Sequence, residues 1–462
     1  MPTGGMLREH GASTVATILW CIAGIVLTGA YLNGLLGSAE DAAVVLALLG
    51  GTHAFSSFWM HGGANITATG VFMLGLVTFV YFPAVYVATE RISFAEPRDI
   101  PGAIILVFFS QVIMYHLTSE PQRELGFAAS VGVAEPVAIW STNLGVALIV
   151  AGYSLERIFG LGSSTLAGAT AFSGAALVAV TALHNAKLSL WRFAFAAVAC
   201  SFYVATMFSG GGRLVLGGLA MVVAVAITRQ SGRFAKSLVT VTLPVGLSLL
   251  AANRAERTAT LGGVETGLES VVWPFERFAQ LLQLSTAGQL PHGEGSSFYA
   301  TAVLFFPRSL WPEKPIGFGA ELTEIFRPEL VGTGHSEAAL VHGELIFNFG
   351  LLSLLIIIPL SYFVRFLDRR LSNAQSQLVS SPMQILTLTA TVLATAGLLD
   401  LVWVGTFGYM SRTGQRLLVL AAVYIVLAWN RRRTSNLMSA THSGRRSPRV
   451  QRAYSRFRGL PN

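Results

Sequence analysis

Residues 340–364 read LVHGELIFNFGLLSLLIIIPLSYFV, an apolar run that carries Glu344 and Asn348 near its start. A helix needs about 20 mostly apolar residues to cross the hydrocarbon core of a bilayer, and this run supplies them. Positions four apart share one helix face, so Glu344 and Asn348 line up where the run begins. An ionisable group entering a membrane is expensive and points to function by default. Two readings of Glu344 follow: a carboxylate that takes part in chemistry, or a buried group that fixes the bundle. Ser336, just ahead of the run, reads as the N-cap of its helix.

Runs of the same kind fill most of the chain. They lie near 13–36, 41–58, 66–89, 101–118, 134–154, 165–184, 189–208, 212–229 and 236–252, then 340–364, 383–403 and 414–430. The 462 residues are 53% hydrophobic and only 12% charged, against about 25% charged in soluble domains. Too little polar surface remains for a water-soluble particle of this length. The expected fold is all-α, a polytopic transmembrane bundle of about 12 helices with one long extracytoplasmic loop carrying short helices. The first run lacks a cleavage site and reads as a retained span. Cys21 and Cys200 sit inside apolar runs, with neither disulfide nor metal-ligand spacing.

The net charge of +8 does not point to nucleic acid, because much of the excess follows the last run, at Arg431–Arg433, Arg445 and Arg446. Basic residues just past a span mark the cytoplasmic side and meet anionic lipid head groups. Arg229, Arg233 and Lys236 form a second cluster, Arg365, Arg369 and Arg370 a third. An even number of spans puts all three clusters and both termini in the cytoplasm. Arg91, Arg98 and Arg157 then fall outside, against the rule, but the stronger clusters decide. The chain divides into nine spans over 1–252, an outer loop over 253–339, three spans over 340–430 and a basic, disordered tail over 431–462.

The outer loop concentrates the chemistry. It holds nearly half of the 23 acidic residues, and loops beyond about 12–15 residues are usually functional or disordered. Phe275, Phe278, Leu281 and Leu282 follow Trp273-Pro274 at helical spacing, the pattern of an amphipathic helix lying at the membrane interface. Further on stands Phe306-Pro307-Arg308-Ser309-Leu310-Trp311-Pro312-Glu313-Lys314-Pro315, then Gly317-Phe318-Gly319. Three prolines stiffen this path and hold Arg308 and Lys314 close together. An Arg fork and a Lys point charge suit phosphate oxygens; the same cations also suit a structural loop resting on lipid head groups. Arg213, after Gly210-Gly211-Gly212, lies at the same outer face. Glu294, in Pro291-His292-Gly293-Glu294-Gly295-Ser296-Ser297, is a second carboxylate there. His335 and His342 flank the start of the 340–364 run without any zinc-binding pattern, so no metal is expected. Asp400 and Arg412 read as a structural pair.

Gly212-Arg213, the long outer loop, Gly293-Glu294-Gly295-Ser296-Ser297, Pro307-Arg308-Ser309-Leu310-Trp311-Pro312-Glu313-Lys314-Pro315, His342-Gly343-Glu344 and Asn348-Phe349-Gly350 together resemble the O-antigen polymerases, or oligosaccharide repeat-unit polymerases. Arg308 and Gly319 also fit an Arg-x10-Gly spacing of such outer loops. The resemblance implies a metal-independent, cofactor-free glycosyltransferase of the cytoplasmic (inner) membrane. It would polymerise undecaprenyl-diphosphate-linked repeat units into a cell-surface polysaccharide, beside membrane lipids and a chain-length regulator. It assigns Arg308, Lys314 and Arg213 to the diphosphate, and Glu344 or Glu294 to the acceptor hydroxyl. Trp311, His335, His342 and Asn348 complete the expected binding set. An O-antigen ligase using the same donor, and a transporter or flippase of lipid-linked sugars, remain the alternatives; the His-x10-Gly spacing of related ligases is missing after both His335 and His342, and no internal repeat of the transporter kind is evident.

Overall fold

The structure, a computed structural model, describes residues 4–90, 99–119, 132–159, 166–184, 190–207, 213–243, 245–246, 269–291 and 293–444. The first part of the chain supplies α1 (Gly4–Leu32), α2 (Ala39–Met60) and α3, which runs as Ala68–Leu76, a π turn over Val77–Tyr81 and Phe82–Glu90. Then come α4 (Ile100–Thr118), α5 (Glu135–Phe159), α6 (Leu166–Leu183), α7 (Leu190–Met207), α8 (Arg213–Ser231) and α9 (233–243). The loop contributes α10 (Glu269–Thr286), α11 (Ser296–Ala302) and α12 (Phe318–Phe326). The chain returns through α13 (Leu340–Phe349), α14 (Ser353–Gln375), α15 (Pro382–Ala396), α16 (Leu398–Tyr409) and α17 (Gln415–Gly444).

Among the described residues there is no strand, only a parallel bridge between Val133 and Val379. Nine of the described helical stretches are long and apolar enough to cross a membrane, and Val215–Thr228 and Pro382–Ala396 are shorter apolar helices. The protein is an all-α, multi-pass helix bundle. The expected span over 236–252 is helical to 243, and most of its remainder lies outside the described residues.

Residues Met1–Leu417 form one compact unit. Its centre is α6, whose described residues are buried from Ala167 to Leu183. Small residues explain how neighbours get so close. A Cβ on Gly174 would lie 2.4 Å from the Gly145 carbonyl oxygen of α5, and one on Gly152 would lie 2.6 Å from that of Ala167. At the periphery, α1 exposes Val15, Ile18, Leu19, Ile22, Ile25 and Val26. Such an apolar face is stable only against lipid. In the second unit, Leu418–Asn462, α17 continues to Gly444 with Trp429 half-exposed beside Arg433. Of the expected basic tail over 431–462, residues to Gly444 continue this helix, with no proline or glycine before Gly444 to interrupt it, and 445–462 lie outside the described residues.

Two other expectations change. The helix α10 begins at Glu269 and takes Pro274 inside it. It does not lie on an interface. Phe275, Glu276, Arg277, Phe278, Ala279, Gln280 and Leu281 are all buried, because α10 packs against α13, α3 and α4. Ser336 is not the cap of α13, which starts at Leu340 with Ala339 as its N-cap residue; the chain beside Ser336 is tied instead to the start of α12, by the Glu337 N–H on the Gly319 carbonyl 3.0 Å away.

Helix ends inside the bundle leave backbone groups that water cannot reach. Buried charged side chains fill them. The Lys236 ammonium, 0% exposed, donates to the carbonyls of Phe58, Trp59, His61 and Gly63 at 2.9, 3.1, 2.9 and 2.9 Å, closing the C-terminal end of α2. Asp368 of α14 accepts from the Ala68 N–H at 2.5 Å and the Thr69 hydroxyl at 2.5 Å, closing the N-terminal start of α3. Each charge has the sign that the helix dipole favours. Together with Gln375 on Val225 and Val379 on Gly132 and Ala134, these bonds gather 58–69, 132–134, 225–236 and 368–379 at one end of the bundle. The loop helices α10, α11 and α12 meet the other.

Removing a buried charged donor strands its acceptors, at about 1–3 kcal/mol or more. Lys236→Met should therefore lower the thermal unfolding midpoint in detergent clearly, while Ser237→Ala, exposed one residue away, should leave it unchanged.

Candidate functional site

The site grows from a break in a helix. α15 and α16 rise to Gly405, whose φ of 80° and ψ of −168° interrupt the helix. The chain then doubles back, as Arg412 Nη1 on Asp400 Oδ1 at 2.8 Å and Tyr409 Oη on the Ala394 carbonyl at 3.2 Å show. This confirms Asp400 and Arg412 as a pair. The returning helix starts at Thr406 and presents unpaired N–H groups, and Glu344 meets them. Its Oε2 accepts from the Thr406 N–H at 2.5 Å, and its Oε1 accepts from the Thr406 hydroxyl at 2.8 Å and the Ser297 hydroxyl at 2.9 Å. Only glycine fits at 405, because a Cβ there would lie 2.3 Å from Glu344 Oε2.

Asn348 stands on the same face, as its spacing predicts, and donates to Ser297 Oγ at 2.8 Å and to the Glu344 carbonyl at 2.7 Å. Of the two readings of Glu344, the buried one describes its setting: it is 0% exposed, and both oxygens accept hydrogen bonds. It latches α13 and α11 to the hairpin. Two residues beyond Asn348 the 340–364 run breaks at Gly350, φ 55°.

The proline-rich loop stitches itself together. Lys314 Nζ donates to the Leu304 and Phe306 carbonyls at 2.6 and 3.0 Å, and Arg308 Nη1 to the Lys314 carbonyl at 3.1 Å. Lys314 is nearly buried, and burial, then the neighbouring Arg308, pushes its ammonium below its usual value. Lys314 shapes the loop; Arg308 is exposed. Trp311 packs edge-on against Tyr299. Glycine is needed at Gly317, where a Cβ would lie 2.4 Å from the Phe407 ring, and at Gly319, where one would lie 2.2 Å from Ser336 Oγ. These close approaches seat the loop on the hairpin and place Phe407 between loop and latch.

A third group was missed by the sequence reading. Glu337 is buried and shared by Arg277 Nε at 3.5 Å, Arg327 Nε at 3.3 Å and His335 Nε2 at 3.1 Å. Both guanidinium groups also lie over the Trp273 ring, at 5.0 and 4.5 Å. Two arginines and a histidine thus converge on one buried carboxylate at the loop end. Nothing in linear spacing joins Arg277 to Arg327; the one legible sign was Arg277 inside an apolar helical pattern. Glu321 was missed too. It is half-buried on α12, with Oε2 lacking a hydrogen-bond partner. Burial, with Glu324 adding to it and Ser296 opposing it, holds its carboxyl above the usual range.

The remaining expected residues scatter. Glu294 is exposed in a left-handed turn, φ 47°. His342 is buried against Phe278, its Nε2 2.9 Å from Ser110 Oγ. Arg213 opens α8, but its side chain lies outside the described residues, as do 253–268 of the loop. The structure thus joins Glu344 to Asn348, Arg308 to Lys314, and His335 to a cluster unseen in sequence. No family model, curated protein or solved structure matches the chain.

Gly405→Ala should destabilise the protein markedly, through both its positive φ and the clash with Glu344. In the double variant with Glu344→Ala, part of that loss should return, giving a non-additive thermal cycle in detergent.

Proposed function

We propose that the protein is a membrane glycosyltransferase that joins undecaprenyl-diphosphate-linked oligosaccharide repeat units outside the cytoplasmic membrane. The supporting observation is the group at the loop end in which Arg277, Arg327 and His335 converge on one buried carboxylate, with Arg308 exposed in the proline-rich loop. Clusters of basic residues at the opposite end, Arg365, Arg369 and Arg370 among them, favour the cytoplasm there. That turns the loop end outward, towards lipid-linked glycans already carried across the bilayer.

In this reading an acceptor sugar hydroxyl attacks the anomeric carbon of the donor, and the bond to the diphosphate breaks. Negative charge builds on the leaving oxygens. Preorganised guanidinium groups stabilise it, and one such donor is typically worth about 10²–10³ in rate. Arg308 and Arg327, the more exposed members, are assigned to the diphosphate. Lys314 and Glu344 act as positioning residues through the loop and the latch. The base is assigned to Glu321, whose carboxyl is raised and incompletely bonded, the condition that favours proton transfer near neutral pH. Broken helices are also a transporter trait, but here the freed helix start at Thr406 is filled by Glu344 and offers nothing to a substrate.

Purified protein supplied with a synthetic lipid-diphosphate repeat unit as sole substrate should build a ladder of longer glycans. Arg308→Ala and Arg327→Ala should each slow it by about 10²-fold or more, while Glu294→Gln should not. Activity should fall as pH drops through the raised Glu321 value, and Glu321→Gln should remove that limb. Turnover only with a different glycan acceptor would favour the ligase; movement of the lipid without bond formation would defeat the transferase.

A further inference from the structure

A second cation site lies within the helices, apart from the loop. Arg416 is only 6% exposed, and its guanidinium carbon sits 3.6 Å from the centroid of the Phe172 ring of α6. Among the described residues its side chain makes no hydrogen bond and no ion pair. Its electrostatic neighbours are Asp400, Tyr203 of α7 and Arg412; Gly218 of α8 lies opposite, so that even an added Cβ there would stand 3.7 Å from Nη1. Asp400 is already bonded to Arg412. Tyr203 is buried as well. Glu156, half-buried on α5, bears on Tyr203 and is not among the groups bearing on Arg416.

The ledger of charge is therefore unbalanced: two arginines against one aspartate, in a place made of apolar helices. Burying a cation without a partner is costly, and stacking on one ring offsets only part of that cost. A chain keeps such a group when something else completes it. The location says what. Phe172, Tyr203 and Gly218 lie near the ends of their helices at Leu166, Met207 and Arg213, about 6–9 Å along the axis from them at 1.5 Å per residue. That is just beneath one surface of the bundle, where a head group enters and an acyl or prenyl tail stays in the hydrocarbon. A planar fork stacked on an aromatic ring is the donor suited to phosphate oxygens.

We propose that Arg416, with Tyr203 and Arg412, forms a site for the phosphate group of an amphiphile, held within the helix bundle. The site does not require the transferase reading, and its test reads binding alone. Purified protein in a nonionic detergent is titrated with dodecyl phosphate or with inorganic phosphate while thermal unfolding is followed. Dodecyl phosphate should raise the unfolding midpoint. Arg416→Met should weaken that binding about tenfold or more, as the loss of a charge-assisted bond implies, and Ser237→Ala, exposed at the far end of the bundle, should leave it intact. Without ligand, Arg416→Met should be at least as stable as the parent, because an uncompensated buried charge is gone. Protection by inorganic phosphate as well would identify the same chemistry reached from water. Arg416→Lys, which keeps the charge but not the fork, supplies the comparison should the methionine variant fail to fold, and should bind several-fold more weakly. The proposal is overturned if neither phosphate stabilises the parent, or if the dodecyl phosphate effect survives in both Arg416 variants.

Discussion

Every break in a membrane helix exposes backbone groups that lipid cannot satisfy, and this protein meets that constraint with single buried charges. Lys236 closes the end of α2, Asp368 the start of α3, and Glu344 the start of the helix after Gly405. Each has the sign that the local helix dipole attracts. The last of these matters most, since Glu344 ties three otherwise separate pieces, α11, α13 and the hairpin, into one surface. The proline-rich loop then rests on that surface through Gly317 against Phe407.

This order of dependence explains why the charged residues at the loop end divide into two kinds. Glu344 and Lys314 are spent on architecture, one on N–H and hydroxyl donors, the other on loop carbonyls. Arg308, Arg327 and Glu321 keep unused bonding capacity or exposure at the same end. A scaffold with its own charges satisfied leaves the remaining ones free for a ligand, and a rigid loop keeps them in place.

Much of the fold was legible because lipid imposes long apolar runs, and those runs appear in the structure as helices. Glu344 and Asn348 were correctly set on one face by their spacing. What was not legible depends on contacts between distant segments. The role of Glu344 turns on a glycine sixty-one residues later, whose positive φ no local pattern announces. Arg277 meets Glu337 only because α10 is buried among the spans; its amphipathic pattern read equally well as a surface helix. Ser336 had the chemistry of a cap, but the chain beside it is held on Gly319 and the helix begins only at Leu340.

The proposed transferase requires the loop end, with Arg308 and Arg327, to face outward. Cysteine labelling in intact cells tests it most directly, in a background with Cys21 and Cys200 replaced by serine. A membrane-impermeant maleimide should modify Glu294→Cys from outside, and should reach Gln377→Cys, exposed at the opposite end, only after the membrane is opened. The reverse pattern would contradict the account.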